Sequence, residues 1–421
     1  MINQLKFIFK GRERNPVAII LFELVAIFVL LFNLNQPTGN LLAFIAPIPQ
    51  VLELRARNST HEVFGFAPYW KFGSLQNIDF SVLTTFAYFG ISVNSDGTLD
   101  TTDQGYNTFH SDQATQIFSK AHSSGTRVVL TLTQMDNSTI ESFLDNPDAQ
   151  KNLINQSISE VKDKRIDGIN VDFEYQGDPG DDYRNKFTGF ISSLDKNLHE
   201  RVPGSKLTVS VYAASMKDPK IYDIKNLAKN SDGIFMMAYD FAVSGSDNAI
   251  PTSPLYGYKV GKYWYDVSTA VEDFLKVMPS DKLILGLPWY GYNYLVYTPE
   301  VKAETRPYWS WRGQPVAQQY SVAKNINQNS DGVSAYQTGW DNEGKVGYKA
   351  YYDQNNGTWR MIFLEDKKSL GIKYDFAKSK NLEGVGIWAL GFDEGTNDMW
   401  GVLKNKFGEN LAKSNSYEVG L

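Results

Sequence analysis

The sequence predicts an α/β chain built on a (β/α)8 TIM barrel, with a small α+β insertion between strands 7 and 8 and a transmembrane helix ahead of it. Three observations carry this expectation. The chain has 421 residues, enough for one barrel of about 250 residues plus insertions. Eight short β-branched or aromatic runs alternate with amphipathic helical patterns, the signature of repeated βα units. An apolar run preceded by positive charges lies near the N-terminus.

That run comes first. Residues 1–15 carry Lys6, Lys10, Arg12 and Arg14, and Pro16 to Leu34 reads PVAIILFELVAIFVLLFNL with Glu23 its one charge. A helix of this length rises ~28 Å, close to the bilayer core. Glu23 costs ~3 kcal/mol at the bilayer centre, which its apolar neighbours outweigh. The reading is a single-pass signal anchor at 16–34, with residues 1–15 cytoplasmic and the bulk outside the cytoplasm. The alternative is a cleaved signal peptide and secretion; the apolar stretch is long for that, and Phe44-Ile45-Ala46 is a poor cleavage site. Residues 35–60, with Pro37, Gly39, Pro47 and Pro49, read as a linker.

The barrel domain spans 61–410. Its strands are expected at 62–68, 83–91, 127–133, 168–174, 206–213, 233–240, 282–291 and 384–391. Helical spacing marks 148–165 (Leu153, Ile154, Ile158, Val161) and 182–202 (Phe187, Phe190, Ile191, Leu194, Leu198), and also 267–277 and 369–381. Residues 292–366 are too many for one crossover helix. SAYQTGW, VGYKAYYD and TWRMIFLED, punctuated by 341–344 and 355–357, read there as antiparallel strands. Residues 411–421 are a tail.

Composition narrows the function. The net charge of −6 argues against a nucleic-acid partner. There is no cysteine, so disulfides, thiolate metal sites and a cysteine nucleophile are excluded. His61, His110, His122 and His199 show no metal-ligand spacing, and no G-x-S-x-G elbow supports a serine triad. No metal is expected. Aromatic residues make up 14% of the chain, and flat rings suit the apolar faces of sugars.

The chemistry concentrates on strand four, Asp167-Gly168-Ile169-Asn170-Val171-Asp172-Phe173-Glu174. With a period of two, Ile169, Val171 and Phe173 face the outer helices, and Asn170, Asp172 and Glu174 face the barrel interior. Such interiors are ordinarily filled by Val, Ile and Leu. Two carboxylates two residues apart, ~6.7 Å along a strand, can hold one proton between them. That keeps Glu174, nearest the C-terminal mouth, protonated as a general acid. The bland alternative is a strand with a wet acidic face.

DGINVDFE resembles the D-G-x-D-x-D-x-E signature of family 18 glycoside hydrolases, the chitinase and cell-wall N-acetylglucosaminidase family. MMAYD (236–240) is similar to its M-x-Y-D strand, LGLPWYGY (285–292) to its G-x-P-x-Y-G strand, and GVGIWALGFD (384–393) to its Trp-bearing strand. The resemblance covers residues 60–405. It implies substrate-assisted hydrolysis with retention, in which the substrate's own acetamido oxygen is the nucleophile. No cofactor follows from it. Glu174 would be the proton donor, Asp172 would orient the acetamido group, and Tyr239 would donate to its oxygen. Asp240 and Met237 would line the same subsite, and Trp388 would be its floor. Tyr69, Trp70 and Tyr290, after strand ends, are further candidates for sugar contact. Asn170 stands where the family usually has aspartate, and Thr131-Leu132-Thr133-Gln134 replaces S-x-G-G. Both departures resemble the bacterial branch that trims peptidoglycan, so the expected partner is peptidoglycan ahead of chitin. A catalytically silent sugar-binding barrel is the alternative. The sequence does not fix an oligomeric state.

Overall fold

A computed structural model describes residues 61–308 and 310–408. The expected anchor at 16–34, the linker at 35–60 and the tail at 411–421 lie outside the described residues. Among the described residues no helix is long and apolar enough to cross a membrane.

Eight parallel strands close into a barrel. They are β1 (Glu62–Pro68), β2 (Thr85–Ser92), β3 (Arg127–Gln134), β4 (Gly168–Phe173), β5 (Lys206–Tyr212), β6 (Gly233–Met237), β7 (Leu283–Pro288) and, last in the chain, β13 (Gly384–Trp388), which pairs with both β7 and β1. Between β7 and β13 lie β8 (Tyr290–Val296), β9 (Val316–Gln319), β10 (Val333–Asp341), β11 (Val346–Asp353) and β12 (Thr358–Leu364), which form a separate antiparallel sheet in the order β10-β11-β12-β8-β9. The insertion's sheet therefore begins at Tyr290, and the seventh strand is shorter than the expected 282–291. Pro288 offers no N–H to continue the ladder towards β6, and the Trp289 N–H makes the last barrel bond, to the Trp388 carbonyl of β13.

The helices wrap the barrel: α1 (Gln104–Phe109), α2 (Asp112–Ser123), α3 (Asn137–Leu144), α4 (Pro147–Lys164), α5 (Asp181–Arg201), α6 (Ile224–Lys229), α7 (Val267–Phe274), α8 (Tyr320–Ala323, in the insertion), α9 (Lys367–Ser379) and α10 (Asn397–Phe407). Their ends follow local chemistry. In α4 the Asn146 side chain accepts from the Asp148 and Ala149 amides, and Pro147 opens the helix. Lys162 and Lys164 sit in its last turn, and Arg165 closes it in a left-handed conformation. Asp366 and Ser369 form a reciprocal capping box on α9.

Strand β4 sorts its faces as its period demands. Phe173 packs outward against Phe143 of α3 and Phe187 and Phe190 of α5. Gly168 lets β5 approach: a Cβ there would lie 2.0 Å from the Lys206 carbonyl oxygen. The barrel interior is filled by rings more than by branched aliphatics. Phe64, Phe66, Phe89 and Phe235 cluster there with Val129, Met237 and Ile284. Phe235 takes the centre because β7 and β13 offer glycines opposite it; a Cβ on Gly286 or Gly386 would lie 2.4 or 2.0 Å from its ring.

Candidate active site

The C-terminal ends of the barrel strands open into a cavity of about 630 Å³, partly open to solvent. Phe66, Phe89 and Met237 reach it from the filled interior, and Trp388 packs on them, 5.6 Å from Phe66 and 4.7 Å from Phe89 between ring centroids. Tyr239 stacks near Trp388 at 6.4 Å and 26°. Trp70 stands half-exposed on the far wall beside Trp388. These rings give an apolar floor and wall suited to a pyranose face.

Asp172 and Glu174 enter from β4. Asp172 is 3% exposed, and its Oδ1 is buried with no hydrogen-bond partner. Burial, reinforced by the Glu174 carboxylate, pushes its pKa well above the usual carboxylate range. Glu174 follows the last residue of β4, its amide held by the Gln134 carbonyl. Burial raises its pKa too, against a hydrogen bond from Tyr212 that lowers it, and Asp240 adds to the rise. Tyr212 Oη donates to Glu174 Oε2 at 2.5 Å, and Gln176 Nε2 donates to Tyr212 Oη at 3.0 Å. Burial and the surrounding carboxylates raise the Tyr239 pKa strongly, so its hydroxyl stays a neutral donor.

Asp240 adopts φ = 57°, a left-handed conformation uncommon outside glycine. The ladder of β6 ends at Met237, short of the expected 233–240, and the left-handed Asp240 beyond it has its carboxylate at the cavity. Tyr290 donates to that carboxylate, and Tyr292 does so at 3.1 Å.

Seven of the ten residues singled out in the sequence line the cavity: Asp172, Glu174, Met237, Tyr239, Asp240, Trp388 and Trp70. Three do not. Asn170 is fully buried below it, accepting from Thr208 Oγ1 at 2.8 Å and donating to Ser210 Oγ at 3.1 Å. Its amide is satisfied inside the barrel, beneath the chemistry. Tyr69 packs in the crossover from β1 to β2, against Gly90 and Gly105. Tyr290 is buried and reaches the site through Asp240 and through its ring contact with Tyr239, 6.3 Å between centroids.

Tyr212, Ser210 and Met135 complete the lining and escaped the sequence reading. For two of them the signal is present. Thr208, Ser210 and Tyr212 share one face of β5, and Thr208 is in register with Asn170; the inward polar period of β4 is repeated on its neighbour. Met135 sits in the turn after β3 and carries no comparable pattern. Among the described residues one group, Asp195, His199 and Asp232, has ligand atoms close enough to hold a metal ion. It lies at the strands' N-terminal ends, away from the cavity, and His199 is already engaged with the Ser205 carbonyl and Asp232.

The family model described as "Glycosyl hydrolases family 18" matches residues 45–393. Rat di-N-acetylchitobiase is 26% identical over 302 residues, covering 68% of this chain and 78% of that protein. The Ostrinia furnacalis group IV chitinase, solved with allosamidin, superposes with a TM-score of 0.71 at 21% identity, over 84% of this chain and 99% of that one. The spore cortex-lytic enzyme SleL of Bacillus megaterium gives 0.64 at 19%, over 82% and 74%. The chain belongs to family 18 of the glycosyl hydrolases and is a glycoside hydrolase.

Proposed function

We propose that the protein cleaves β-1,4 linkages in N-acetylglucosamine-containing polymers, peptidoglycan ahead of chitin, by substrate-assisted hydrolysis with retention. The observation that carries this reading is the buried Asp172–Glu174 pair, both raised in pKa, beside Tyr239 and above the Trp388 floor.

Glu174 protonates the glycosidic oxygen. As the bond to the leaving oxygen breaks, the 2-acetamido oxygen of the same sugar attacks its own anomeric carbon and forms an oxazolinium ion. Asp172, with a free buried oxygen, accepts the acetamido N–H and offsets the positive charge. Tyr239 donates to the acetamido oxygen. Glu174, now ionised, takes a proton from the water that opens the ring, restoring the sugar with its original configuration. The similarity to a di-N-acetylchitobiase supports the sugar class. Asn170 and the Thr131–Gln134 strand end support the peptidoglycan preference.

The test is hydrolysis of chitin oligomers and purified peptidoglycan by wild type and Glu174→Gln. Loss of a general acid lowers the rate about 10²–10⁴-fold. Proton NMR of the first product should show the β-anomer. Wild-type protein that binds these polymers without cutting either would sink the reading.

A further inference from the structure

A second cavity, about 1270 Å³ and wide open, lies on the insertion side of the molecule. Its lining includes Asp247, Tyr297, Glu304, Arg306 and Tyr308. Two short backbone pairings build it: Glu304 bridges to Asn248, and Thr305 bridges to Val296. Both connect it to the catalytic site. The segment from Asp240 to Asp247 begins in one cavity and ends in the other. Strand β8 carries Tyr292, which donates to Asp240, and runs on to Tyr297. At ~3.4 Å per residue the backbone positions of these two tyrosines are about 17 Å apart, a distance that an extended peptide of about five residues spans.

Its chemistry differs from that of the catalytic cavity. Arg306 lies over the Tyr297 ring, 4.8 Å from the centroid. Its Nη1 makes one long hydrogen bond, 3.4 Å to Thr358, and its buried Nε has no partner. Among the described residues it forms no ion pair, although Asp247 and Glu304 line the same cavity. Tyr297 and Tyr308 are 46% and 50% exposed, a surface more apolar than a solvated loop needs. A guanidinium set on a ring and lacking a carboxylate partner is a ready receptor for a carboxylate. Nearby acids suit an ammonium group.

We propose that this cavity binds the peptide stem of a peptidoglycan strand whose glycan lies in the catalytic cavity. A stem carries carboxylates and, at a diamino acid, an ammonium group, so it engages Arg306 and the acidic pair together. Chitin carries neither. The inference rests on the peptidoglycan reading above and names the part of the substrate that confers the preference.

The test measures binding of a disaccharide–peptide fragment, and of the same disaccharide without peptide, to Glu174→Gln protein, where turnover cannot interfere. Arg306→Gln in that background should weaken binding of the stem-bearing fragment about tenfold, the value of one hydrogen bond to a charged group. It should leave the bare disaccharide unaffected. Arg306→Lys should restore part of the loss, and unchanged thermal melting of both variants excludes misfolding. Equal affinity for the two fragments, or equal loss on both, overturns the proposal. Hydrolysis of chitin oligomers by the single Arg306→Gln variant reports separately on the catalytic reading and should equal wild type.

Discussion

Tyr212 holds Glu174 by one oxygen, and that bond favours the ionised carboxylate while burial opposes it. Removing the hydroxyl leaves desolvation less opposed, so the Glu174 pKa rises. In the proposed mechanism the group acts while protonated, so a higher pKa extends activity upward in pH. Tyr212→Phe should therefore move the alkaline limb of the kcat/KM profile to higher pH, while the looser carboxylate lowers kcat by about tenfold. A fall in kcat with an unmoved limb would make Tyr212 a packing residue only. At this scale the site is largely legible in the sequence. Asp172 and Glu174 break the apolar rule of a barrel interior, and Met237, Tyr239, Asp240 and Trp388 sit at strand ends in a pattern similar to the family's. Tyr212 sits on an equally readable period, yet no neighbouring charge draws attention to it. Asn170 faces inward as the period demands, but the period does not give depth, and Thr208 and Ser210 take its amide below the cavity.

The strands owe their positions to a few close approaches. Phe235 fits the barrel centre only because Gly286 and Gly386 present no side chain to it. Phe64 and Phe66 press on it from the other side, at 5.3 and 4.8 Å between centroids, so the ring cannot swing away. Gly386→Ala should destabilise the protein by about 1–3 kcal/mol, as overpacked cores do, seen as a lower urea midpoint with unchanged slope. An unchanged midpoint would mean that the interior is looser than its geometry. Element boundaries were the less legible part. Expected β7 runs past Pro288 into residues that pair with the insertion, because LPWYGY is continuously apolar and periodicity cannot show where one sheet hands over to another. Expected β6 likewise runs through Asp240, whose backbone conformation no pattern announces.

Across the whole molecule both ends of the barrel bury a carboxylate oxygen without a partner. At the end away from the cavity, Glu62 pairs with Arg127 and Thr84, while Glu383 Oε2 is buried without a partner. Burial, with Glu62 beside it, pushes Glu383 up to about 8. In the unfolded chain it ionises near 4.5, so between these values the folded protein holds a proton that the unfolded chain has released. Its contribution to stability is full below the lower value and is lost as pH rises through the upper one. Tm should fall from pH 5 to pH 8, and Glu383→Gln should flatten that fall. An identical decline in the variant would assign it to other groups. The parallel strands are legible from alternation, but an open doubly wound sheet covers both faces equally well, and it is the count of eight βα units that favours closure.

The parallel closure gives the molecule two poles with separate duties. The chain enters the barrel at Glu62, at the pole opposite the mouth where Glu174 waits. A probe joined at Glu62 therefore sits a full barrel height from the working edge and leaves it free, with the insertion and its charged recess on the working side.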